Sequence, residues 1–369
     1  MDSKVKKIAF HLNTFGRGGA ERVVSNLANR FVAEGYTVYV TTEWQEDDEY
    51  ALDERIIRIH VGLRPEDEEK SRVKKALLRI RYLRDFLKEY SPDVLIAFTH
   101  NANFRALMAS RKTKIPTIIA VRVHPVGYYD SLKDKILIRW LFPKAAGAVF
   151  QTQEQKEFFK PYLQDNSRVI INPVNPDYIG VKRPEIKERA VVNHARIVDF
   201  KNHLMLVDAF LKVHEKHPDY VLKIFGPDSG DGTLEKIKEK IAVNNAGEFV
   251  FLMGSTDSIE KEIPKCEVYA YSSDYEGYPN SLLEAMVMGM PVVSTDCPPG
   301  APAMMIKDGV NGFLVPVGDA DALANRICTL IEDKELADRL GQEASKISEK
   351  TNIDAIYSEW KEFLDSVVK

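Results

Sequence analysis

The sequence predicts an α/β protein that consists of two doubly wound domains. Short apolar runs alternate with amphipathic helical patterns along the 369 residues, which is typical of parallel sheets covered by helices. A chain of this length has room for two hydrophobic cores. Three prolines within residues 172–184 break the alternation and indicate a linker. We therefore predict an N-terminal domain at 1–175, a C-terminal domain at 185–350 and a last helix at 351–369.

The N-terminal domain begins with a βαβ unit. An apolar strand, Val5–Leu12, leads through a glycine loop into a helix whose apolar residues recur at helical spacing. Gly35 ends this helix before a strand at 37–41. Four further strands, separated by helical patterns, are predicted at residues 56–61, 94–98, 117–121 and 148–150.

The glycine loop raises the question of dinucleotide binding. Gly16 and Gly18, with Glu43 at the end of the next strand, match part of the fingerprint by which dehydrogenases bind NAD. The fingerprint needs a third glycine where this chain has Glu21, so the close packing of helix on strand is not available. NAD binding is therefore disfavoured, and a tight turn without a ligand stays open as an alternative.

The C-terminal domain repeats the alternation of strands and helices. It restarts with the apolar run Ala190–Val192 and a helix at Leu204–His217. Two more strands and three terminal helical patterns are predicted at residues 221–225, 249–253, 319–332, 334–348 and 352–368.

The most informative stretch is the loop and helix that follow the apolar run 268–272. Gly277 and Pro279 keep the loop out of a helix, and Asn280 or Ser281 can cap the helix that begins next. The start of a helix presents backbone N–H groups without intrahelical partners and the positive end of the dipole. Such a helix start suits a phosphate.

Two carboxylates, Glu276 in the loop and Glu284 in the helix, flank this predicted phosphate site. Beside an anion, carboxylates are suited to accept hydrogen bonds from neutral hydroxyl groups, which sugars supply. A nucleotide sugar has this layout, because its diphosphate lies between two sugar rings. The alternative is that Glu276 is a solvated loop residue and that Glu284 only favours the helix dipole.

A pair of basic residues, Arg196 and Lys201, lies in the loop between the run Ala190–Val192 and the next helix. Both can reach one anion, the arginine as a planar fork and the lysine as a point charge. Two solvated loop residues are the alternative.

The string EGYPNSLLEAM, residues 276–286, resembles the E-x7-E motif of family 4 glycosyltransferases. Segments 289–296 and 308–315 are also similar to that family, and segment 195–202 resembles its G-R-L-x3-K-N pattern, with Ala195 where glycine is usual. The resemblance spans nearly the whole chain. It implies the GT-B fold, in which two Rossmann-like doubly wound domains face a central cleft, the first binding the acceptor and the second the nucleotide sugar, and in which the last helix can cross back to the first domain.

The resemblance also implies the roles of individual residues in a retaining, metal-independent transfer. It assigns Glu276 to the hydroxyls of the donor sugar, Glu284 to the ribose, and Arg196 with Lys201 to the diphosphate. No residue acts as nucleophile, and the leaving phosphate takes the proton of the acceptor hydroxyl. The other substrate-binding residues that it implies are Gly18, Gly19, Gly254, Gly277, Tyr278, Pro279, Asn280, Ser281 and Leu282.

A histidine near the donor sugar is the last residue that the resemblance implies. His124 follows the fifth strand of the first domain and is the candidate, with Arg122 beside it. His100 follows another strand, and a plain surface histidine is the alternative for either.

The charge distribution bears on partners. The formal net charge of −4 provides no general basic field for nucleic acid. Residues 70–88 nevertheless carry eight basic side chains, one acidic side chain and an apolar stripe. This helix is either a solvated face above a core-facing stripe or a patch that contacts an anionic membrane. Residues 133–144 repeat the pattern more weakly.

Cysteine and histidine usage predicts no metal and no other cofactor. Cys266, Cys297 and Cys328 are few and odd in number, which fits a reducing compartment. His214 and His217 have no further ligand nearby in the sequence. No apolar run has the length of a secretory core or of the ~20 residues that cross a bilayer. We expect a cytoplasmic protein, located at the inner face of the cell membrane if the basic helix contacts lipid.

We expect a transferase that moves a sugar from a nucleotide donor, such as a UDP-hexose or UDP-N-acetylhexosamine, to a hydroxyl of a glycan acceptor. The resemblance to bacterial enzymes that build capsule, exopolysaccharide or O-antigen implies an acceptor linked to polyprenyl diphosphate. A nucleotide-sugar epimerase or phosphorylase of the same fold, and a non-catalytic protein that binds sugar nucleotides, are the alternatives.

Overall fold

The computed structural model describes residues 5–16, 18–163 and 166–368 and divides the chain into two compact units. The first unit comprises residues 1–173 with 353–369, and the second comprises 174–352. The boundary at 173 and 174 lies within the proline-rich segment. The last helix of the chain belongs to the first unit.

The described residues form thirteen strands and fifteen α-helices. The strands are β1 (Lys7–Leu12), β2 (Thr37–Thr42), β3 (Ile57–His60), β4 (Val94–Phe98), β5 (Thr117–Ala120), β6 (Gly147–Phe150), β7 (Ser167–Val169), β8 (Glu188–His194), β9 (Val221–Phe225), β10 (Val250–Gly254), β11 (Cys266–Tyr271), β12 (Val292–Thr295) and β13 (Phe313–Val315). The helices are α1 (Gly19–Ala33), α2 (Arg72–Tyr90), α3 (His100–Ser110), α4 (Pro125–Tyr128), α5 (Leu132–Leu141), α6 (Gln153–Phe159), α7 (His203–Lys216), α8 (Thr233–Val243), α9 (Ile259–Glu262), α10 (Asn280–Val287), α11 (Ala301–Met305), α12 (Ala320–Glu332), α13 (Lys334–Ser345), α14 (Ser348–Thr351) and α15 (Ile353–Val367).

The first unit contains a parallel seven-stranded sheet with the strand order β3-β2-β1-β4-β5-β6-β7. Side chains of β4, β5 and β6 are buried along the whole strand, because helices cover both faces. Helices α1 and α15 pack on one face, and α2, α3 and α5 pack on the other. Alternate residues of each strand therefore belong to different cores.

The second unit contains a parallel six-stranded sheet with the strand order β10-β9-β8-β11-β12-β13. Its largest core joins the strands to α7, α8, α12 and α13. Counted in chain order within the unit, this is the order 3-2-1-4-5-6 of a doubly wound nucleotide-binding sheet. The α/β fold with two Rossmann-like domains is therefore confirmed.

None of the helices in the described part of the chain combines the length and the apolar character that a bilayer crossing requires.

Candidate active site

The candidate site of the second unit lies where β8 and β11 pair side by side. The chain winds outward in opposite directions from these two strands, and ligands of doubly wound sheets bind at the carboxyl ends of such a strand pair. His194 is the last residue of β8 and Tyr271 is the last residue of β11. The predicted residues of this unit lie at this edge of the sheet, in the loops and the helix that begin here and at the end of β10.

The loops that follow β8 and β11 are hydrogen-bonded to each other. The backbone N–H of Asp274 donates to the carbonyl of Phe200 at 2.8 Å. The side chain of Asn202 caps α7 and also donates to Asp274 Oδ1 at 2.7 Å. The Ser272 hydroxyl donates to the Lys201 carbonyl at 2.9 Å. These bonds fix Lys201 against the loop that carries Glu276.

The Glu276 carboxylate receives three hydrogen bonds on one oxygen. Oε1 accepts from the Lys201 ammonium and from the hydroxyls of Tyr271 and Ser273, the last at 3.0 Å. Burial raises the pKa of the Tyr271 phenol well above its ordinary value, and the nearby carboxylate adds to this, so the hydroxyl stays protonated and donates. Among the described residues, none donates to Oε2, and the side chain keeps 11% of its surface exposed.

Helix α10 begins at Asn280, with Pro279 at the N-cap position. The expected side-chain cap from Asn280 or Ser281 was wrong, because both residues lie within the first turn. The first hydrogen bond of the helix runs from Leu283 N to the Pro279 carbonyl at 3.1 Å. The N–H groups of Ser281 and Leu282 therefore have no acceptor within the helix, as a phosphate-binding helix start requires.

Glu284 lies on the inner face of α10 and is 2% exposed. Its Oε2 is 3.8 Å from Nδ1 of His194 at the end of β8. The Tyr269 hydroxyl donates to the His194 carbonyl at 3.2 Å, and burial raises the pKa of this phenol above its ordinary value. The carboxylate is thus directed at the carboxyl end of β8, beneath the start of α10.

Arg196 and Gly254 lie at the same edge of the sheet, Arg196 in the loop after β8 and Gly254 at the end of β10. Arg196 is exposed in the loop after β8, next to Ile197, whose N–H donates to the Pro227 carbonyl at 2.8 Å. Gly254 ends β10 with a φ of 70°, and its carbonyl accepts from the Gly226 N–H at 2.9 Å. The loops after β8, β9 and β10 are therefore linked by backbone hydrogen bonds.

The loop residues next to Glu276 differ in exposure. Tyr278 and Pro279 are buried, and Gly277 is half-buried. Burial raises the pKa of the Tyr278 phenol above its ordinary value. The Glu276 N–H donates to the Pro298 carbonyl at 2.9 Å, which ties this loop to the segment after β12. The loop is therefore anchored on both sides of its glycine.

Two of the predicted glycines lie at the start of α1 in the first unit. Gly18 occupies the N-cap position and Gly19 is the first residue of the helix. A methyl group on Gly18 would lie 2.1 Å from Oε2 of Glu21, so the glycine leaves room for a carboxylate that turns back to the helix start. A negative charge at this position is favourable for the helix dipole.

The two candidate histidines also belong to the first unit. His124 is half-buried at the N-cap position of the short helix α4, and its Nδ1 is 2.9 Å from the Val126 carbonyl oxygen. His100 Nε2 is 3.1 Å from Asp134 Oδ1, and burial lowers the pKa of this histidine against the opposing effect of the aspartate. His124, Gly18 and Gly19 thus form no group with Glu276 within one unit.

Sequence reasoning missed Tyr271, Ser273 and His194, which hold or approach the two glutamates. The signal that identifies them is position: His194 and Tyr271 are the last residues of two apolar strands, and Ser273 follows two residues later. Because neighbouring parallel strands end at one edge of a sheet, polar residues at those ends converge.

Within the described residues, one group of three side chains offers metal-ligand atoms within 4.8 Å of one another: His217, Cys328 and Glu332. His217 follows the last residue of α7, and the other two belong to the end of α12. Helices that follow parallel strands run back to the opposite edge of the sheet. This group therefore lies away from the edge that carries Glu276.

Two family models match the chain. Residues 177–347 match the model described as glycosyl transferases group 1, and residues 17–178 match the model described as glycosyltransferase family 4. The two matches together extend over most of both units.

Two bacterial relatives align over nearly their whole length. An uncharacterized glycosyltransferase of Haemophilus influenzae is 24% identical, over 98% of this chain and 100% of its own. A GalNAc-α-(1→4)-GalNAc-α-(1→3)-diNAcBac-PP-undecaprenol α-1,4-N-acetyl-D-galactosaminyltransferase of Campylobacter jejuni is 26% identical, over 98% of this chain and 99% of its own.

Solved structures share the fold. HepE of Anabaena, in complex with UDP and glucose, superposes with a TM-score of 0.81 at 20% identity, over 98% of this chain and 100% of that one. The apo form of the lipopolysaccharide outer core galactosyltransferase WaaB superposes with a TM-score of 0.76 at 20% identity, over 98% and 99% of the two chains. These structures share the GT-B fold, and the two family models, which together match residues 17–347, show that the chain belongs to the family 4 glycosyltransferases.

Proposed function

We propose that this glycosyltransferase moves a sugar from a UDP-sugar to a hydroxyl of a lipid-linked glycan, with retention of configuration at the anomeric carbon. The observation that carries the proposal is the arrangement of Glu276. Three donors occupy Oε1 and fix the carboxylate, while Oε2 receives no hydrogen bond from the described residues. A fixed carboxylate with an available oxygen suits a donor-sugar hydroxyl.

In this proposal, basic side chains and backbone N–H groups stabilise the leaving diphosphate. Departure of UDP leaves negative charge on the diphosphate and positive charge on the sugar ring, so groups directed at the diphosphate lower the barrier most. Arg196, Lys201 and the N–H groups at the start of α10 supply such groups. In this scheme the acceptor hydroxyl attacks the anomeric carbon from the face that the diphosphate vacates, the bond to the diphosphate breaks, and the diphosphate takes the hydroxyl proton.

Glu284 is assigned to the ribose hydroxyls. Its carboxylate is buried near the start of α10 and near the end of β8, at the edge where doubly wound sheets bind nucleotides. The presence of UDP in the HepE complex supports uracil as the base.

A lipid-linked acceptor is supported by the Campylobacter relatives, whose names specify undecaprenol diphosphate. It is also supported by two surfaces of the first unit. In the basic helix α2, the neighbouring apolar residues Val73 and Leu77 are exposed. In α5, an exposed row consists of Leu132, Ile136 and Trp140, here called the α5 stripe, and Leu132 is 76% exposed. Apolar side chains among basic ones suit the surface of an anionic membrane.

Thermal unfolding with saturating UDP, GDP, ADP or NAD tests the donor assignment on the wild type and on Glu284→Ala. A ligand at 100 times its Kd adds about 2.7 kcal/mol to the free energy of unfolding. We expect a large shift with UDP that shrinks in Glu284→Ala. A shift with NAD alone would contradict the proposal and would indicate NAD binding at the glycine loop of the first unit.

Product analysis tests the reaction itself. The anomeric configuration of the new linkage, measured by NMR with a UDP-sugar and a polyprenyl-diphosphate glycan, is expected to match that of the donor. Inversion would refute the retaining scheme. Conversion of the donor without any acceptor would instead support an epimerase.

A further inference from the structure

A second buried glutamate, outside the site described above, lies in the first unit. Glu43 follows β2 directly and is 3% exposed. Its Oε2 pairs with two guanidinium groups, those of Arg105 on α3 and Arg79 on α2, the latter through Nε at 3.5 Å. Its Oε1 is 3.7 Å from Nε2 of the buried His11. Two arginines therefore share a single carboxylate oxygen.

The cluster carries an excess of positive charge. Burial alone would raise the pKa of the Glu43 carboxyl, but His11 and Arg105 lower it below its ordinary value, so Glu43 is ionised. Glu68 also interacts electrostatically with Arg79, and this acid pairs with Lys75 at 3.3 Å. Arg79 and Arg105 thus bring two positive charges to one negative charge.

Both guanidinium groups remain partly accessible beside an exposed aromatic ring. The side chains of Arg79 and Arg105 are 17% and 18% exposed. Their guanidinium carbons lie 4.8 and 5.7 Å from the ring centroid of Trp44, which is 40% exposed. The ring limits the rotation of both guanidinium groups and leaves apolar surface for a ligand.

The cluster lies at the edge of the first sheet where doubly wound sheets bind their ligands. Asn13, the residue after β1, accepts a hydrogen bond from Arg105 Nη1 at 3.2 Å, and its carbonyl accepts from the N–H groups of Glu43 and Trp44. The cluster therefore lies at the carboxyl ends of β1 and β2, beside the strand pair β1 and β4 where the winding of this sheet reverses. Ligands of doubly wound sheets bind at this edge.

We propose that Arg79, Arg105 and Trp44 form a subsite for an acidic group carried next to a sugar ring. The guanidinium forks bind the acidic group and Trp44 packs against the apolar face of the sugar. Glu43 is a positioning residue, because it holds both forks without facing the ligand. Identifying this ligand as part of the acceptor rests on the proposed function; the existence of the subsite does not.

The acidic group has two chemical sources, a diphosphate ester and the carboxylate of an acidic sugar. Both present two oxygens to a guanidinium fork. Inorganic pyrophosphate and methyl β-D-glucuronide represent the two sources, and methyl β-D-glucoside is the neutral control. Binding of each to the whole protein is measured by isothermal titration calorimetry, without any transfer reaction.

We expect saturable binding of pyrophosphate, glucuronide or both, and at least tenfold weaker binding in Arg79→Gln. Arg81→Gln is the matched control: this residue lies two positions further along α2, is 68% exposed and pairs with Asp85 at 3.6 Å. Lys201→Gln controls for pyrophosphate bound at the donor site. In both control variants, the affinity of the first-unit subsite for pyrophosphate or glucuronide is expected to equal that of the wild type.

A third variant, Trp44→Ala, separates the ring from the charges. The Trp44 side chain is exposed, so folding is expected to persist, and the substitution should weaken glucuronide binding more than pyrophosphate binding.

Saturable pyrophosphate binding alone assigns the subsite to a diphosphate, and glucuronide binding alone assigns it to an acidic sugar. The proposal is overturned if neither probe binds saturably, if the glucoside binds equally well, or if Arg79→Gln and Arg81→Gln weaken binding alike. A UDP shift with no probe binding would overturn the subsite alone, and probe binding without a UDP shift would overturn the donor assignment alone.

Discussion

Replacing Glu276 by glutamine is the sharpest test of the site in the second unit. The amide keeps an oxygen that can accept from the hydroxyls of Tyr271 and Ser273, but it removes the negative charge next to Lys201. A hydrogen bond to a charged partner contributes about 1.5–3 kcal/mol, and one between neutral groups about 0.5–1.5 kcal/mol. We therefore expect Glu276→Gln to lower the free energy of unfolding by about 1–2 kcal/mol.

The effect on turnover should be far larger than the effect on stability. The donor-sugar ring becomes positive as the diphosphate leaves, and the substitution removes a fixed negative charge beside it. Loss of one such electrostatic contact typically costs about 10²–10³ in kcat. Affinity for UDP should be retained or increased, because Lys201 loses its carboxylate partner and becomes available to a phosphate.

The assay combines steady-state kinetics, calorimetric unfolding and UDP titration on the same preparations. Glu262→Gln is the matched control, because Glu262 pairs with Lys265 at 2.8 Å in the same unit and their side chains are 34% and 45% exposed. An exposed pair contributes about 0–1 kcal/mol, so this variant should change neither property much. Unchanged turnover in Glu276→Gln, with the expected loss of stability, would show that Glu276 only holds the loop.

Three further outcomes are expected. Gly226 has a φ of 148°, and a methyl group there would lie 1.9 Å from the Ala195 carbonyl oxygen, whereas one on Gly230, with a φ of 73°, would meet nothing within 4 Å. Gly230→Ala should lower the free energy of unfolding by about 1–2 kcal/mol, because alanine disfavours this backbone conformation. Gly226→Ala should lower the urea midpoint more than Gly230→Ala does. Equal losses of stability in the two variants would refute the predicted clash with Ala195. Burial lowers the pKa of His203 from 6.5 to about 4, so the unfolded chain binds a proton between these pH values that the folded chain does not. The free energy of unfolding should fall by about 3 kcal/mol from pH 7 to pH 4 through this group, and His203→Asn should remove that part of the pH dependence in urea titrations. Serine at all three positions of the α5 stripe should release the protein from anionic vesicles in flotation assays, with neutral phosphatidylcholine vesicles as control, and retained binding would exclude the stripe.

The fold class was predictable because buried parallel strands leave a strong pattern. The strands at 94–98 and 221–225 were predicted with the bounds that the structure gives. The strands β7 and β13 were not predicted, since three residues are too few to show a period. Helix α8 was also not predicted, because it follows a run of glycines and aspartates, which is typical of a turn.

The site was predictable where function lies in a contiguous string, and less so where it depends on contacts between strands. The loop and helix that carry Glu276 and Glu284 could be read from spacing and turn residues. The ion pair of Lys201 with Glu276 could not, because the two residues are 75 positions apart and meet only when β8 and β11 pair. The roles assigned to Arg196, Lys201, His124 and the glycines stay predictions.

The two buried glutamates show how a carboxylate can serve opposite purposes at equivalent edges of the two sheets. A buried carboxylate without a cation is costly, so both Glu276 and Glu43 are fixed by basic side chains. At Glu276 the donors converge on one oxygen, which leaves the carboxylate itself to contact a ligand. At Glu43 one oxygen receives both arginines and the other faces His11, so the carboxylate is enclosed and the arginines are the groups left to bind. The first arrangement suits neutral hydroxyls and the second suits an anion, which is why the two edges should differ in the ligand charge they accept.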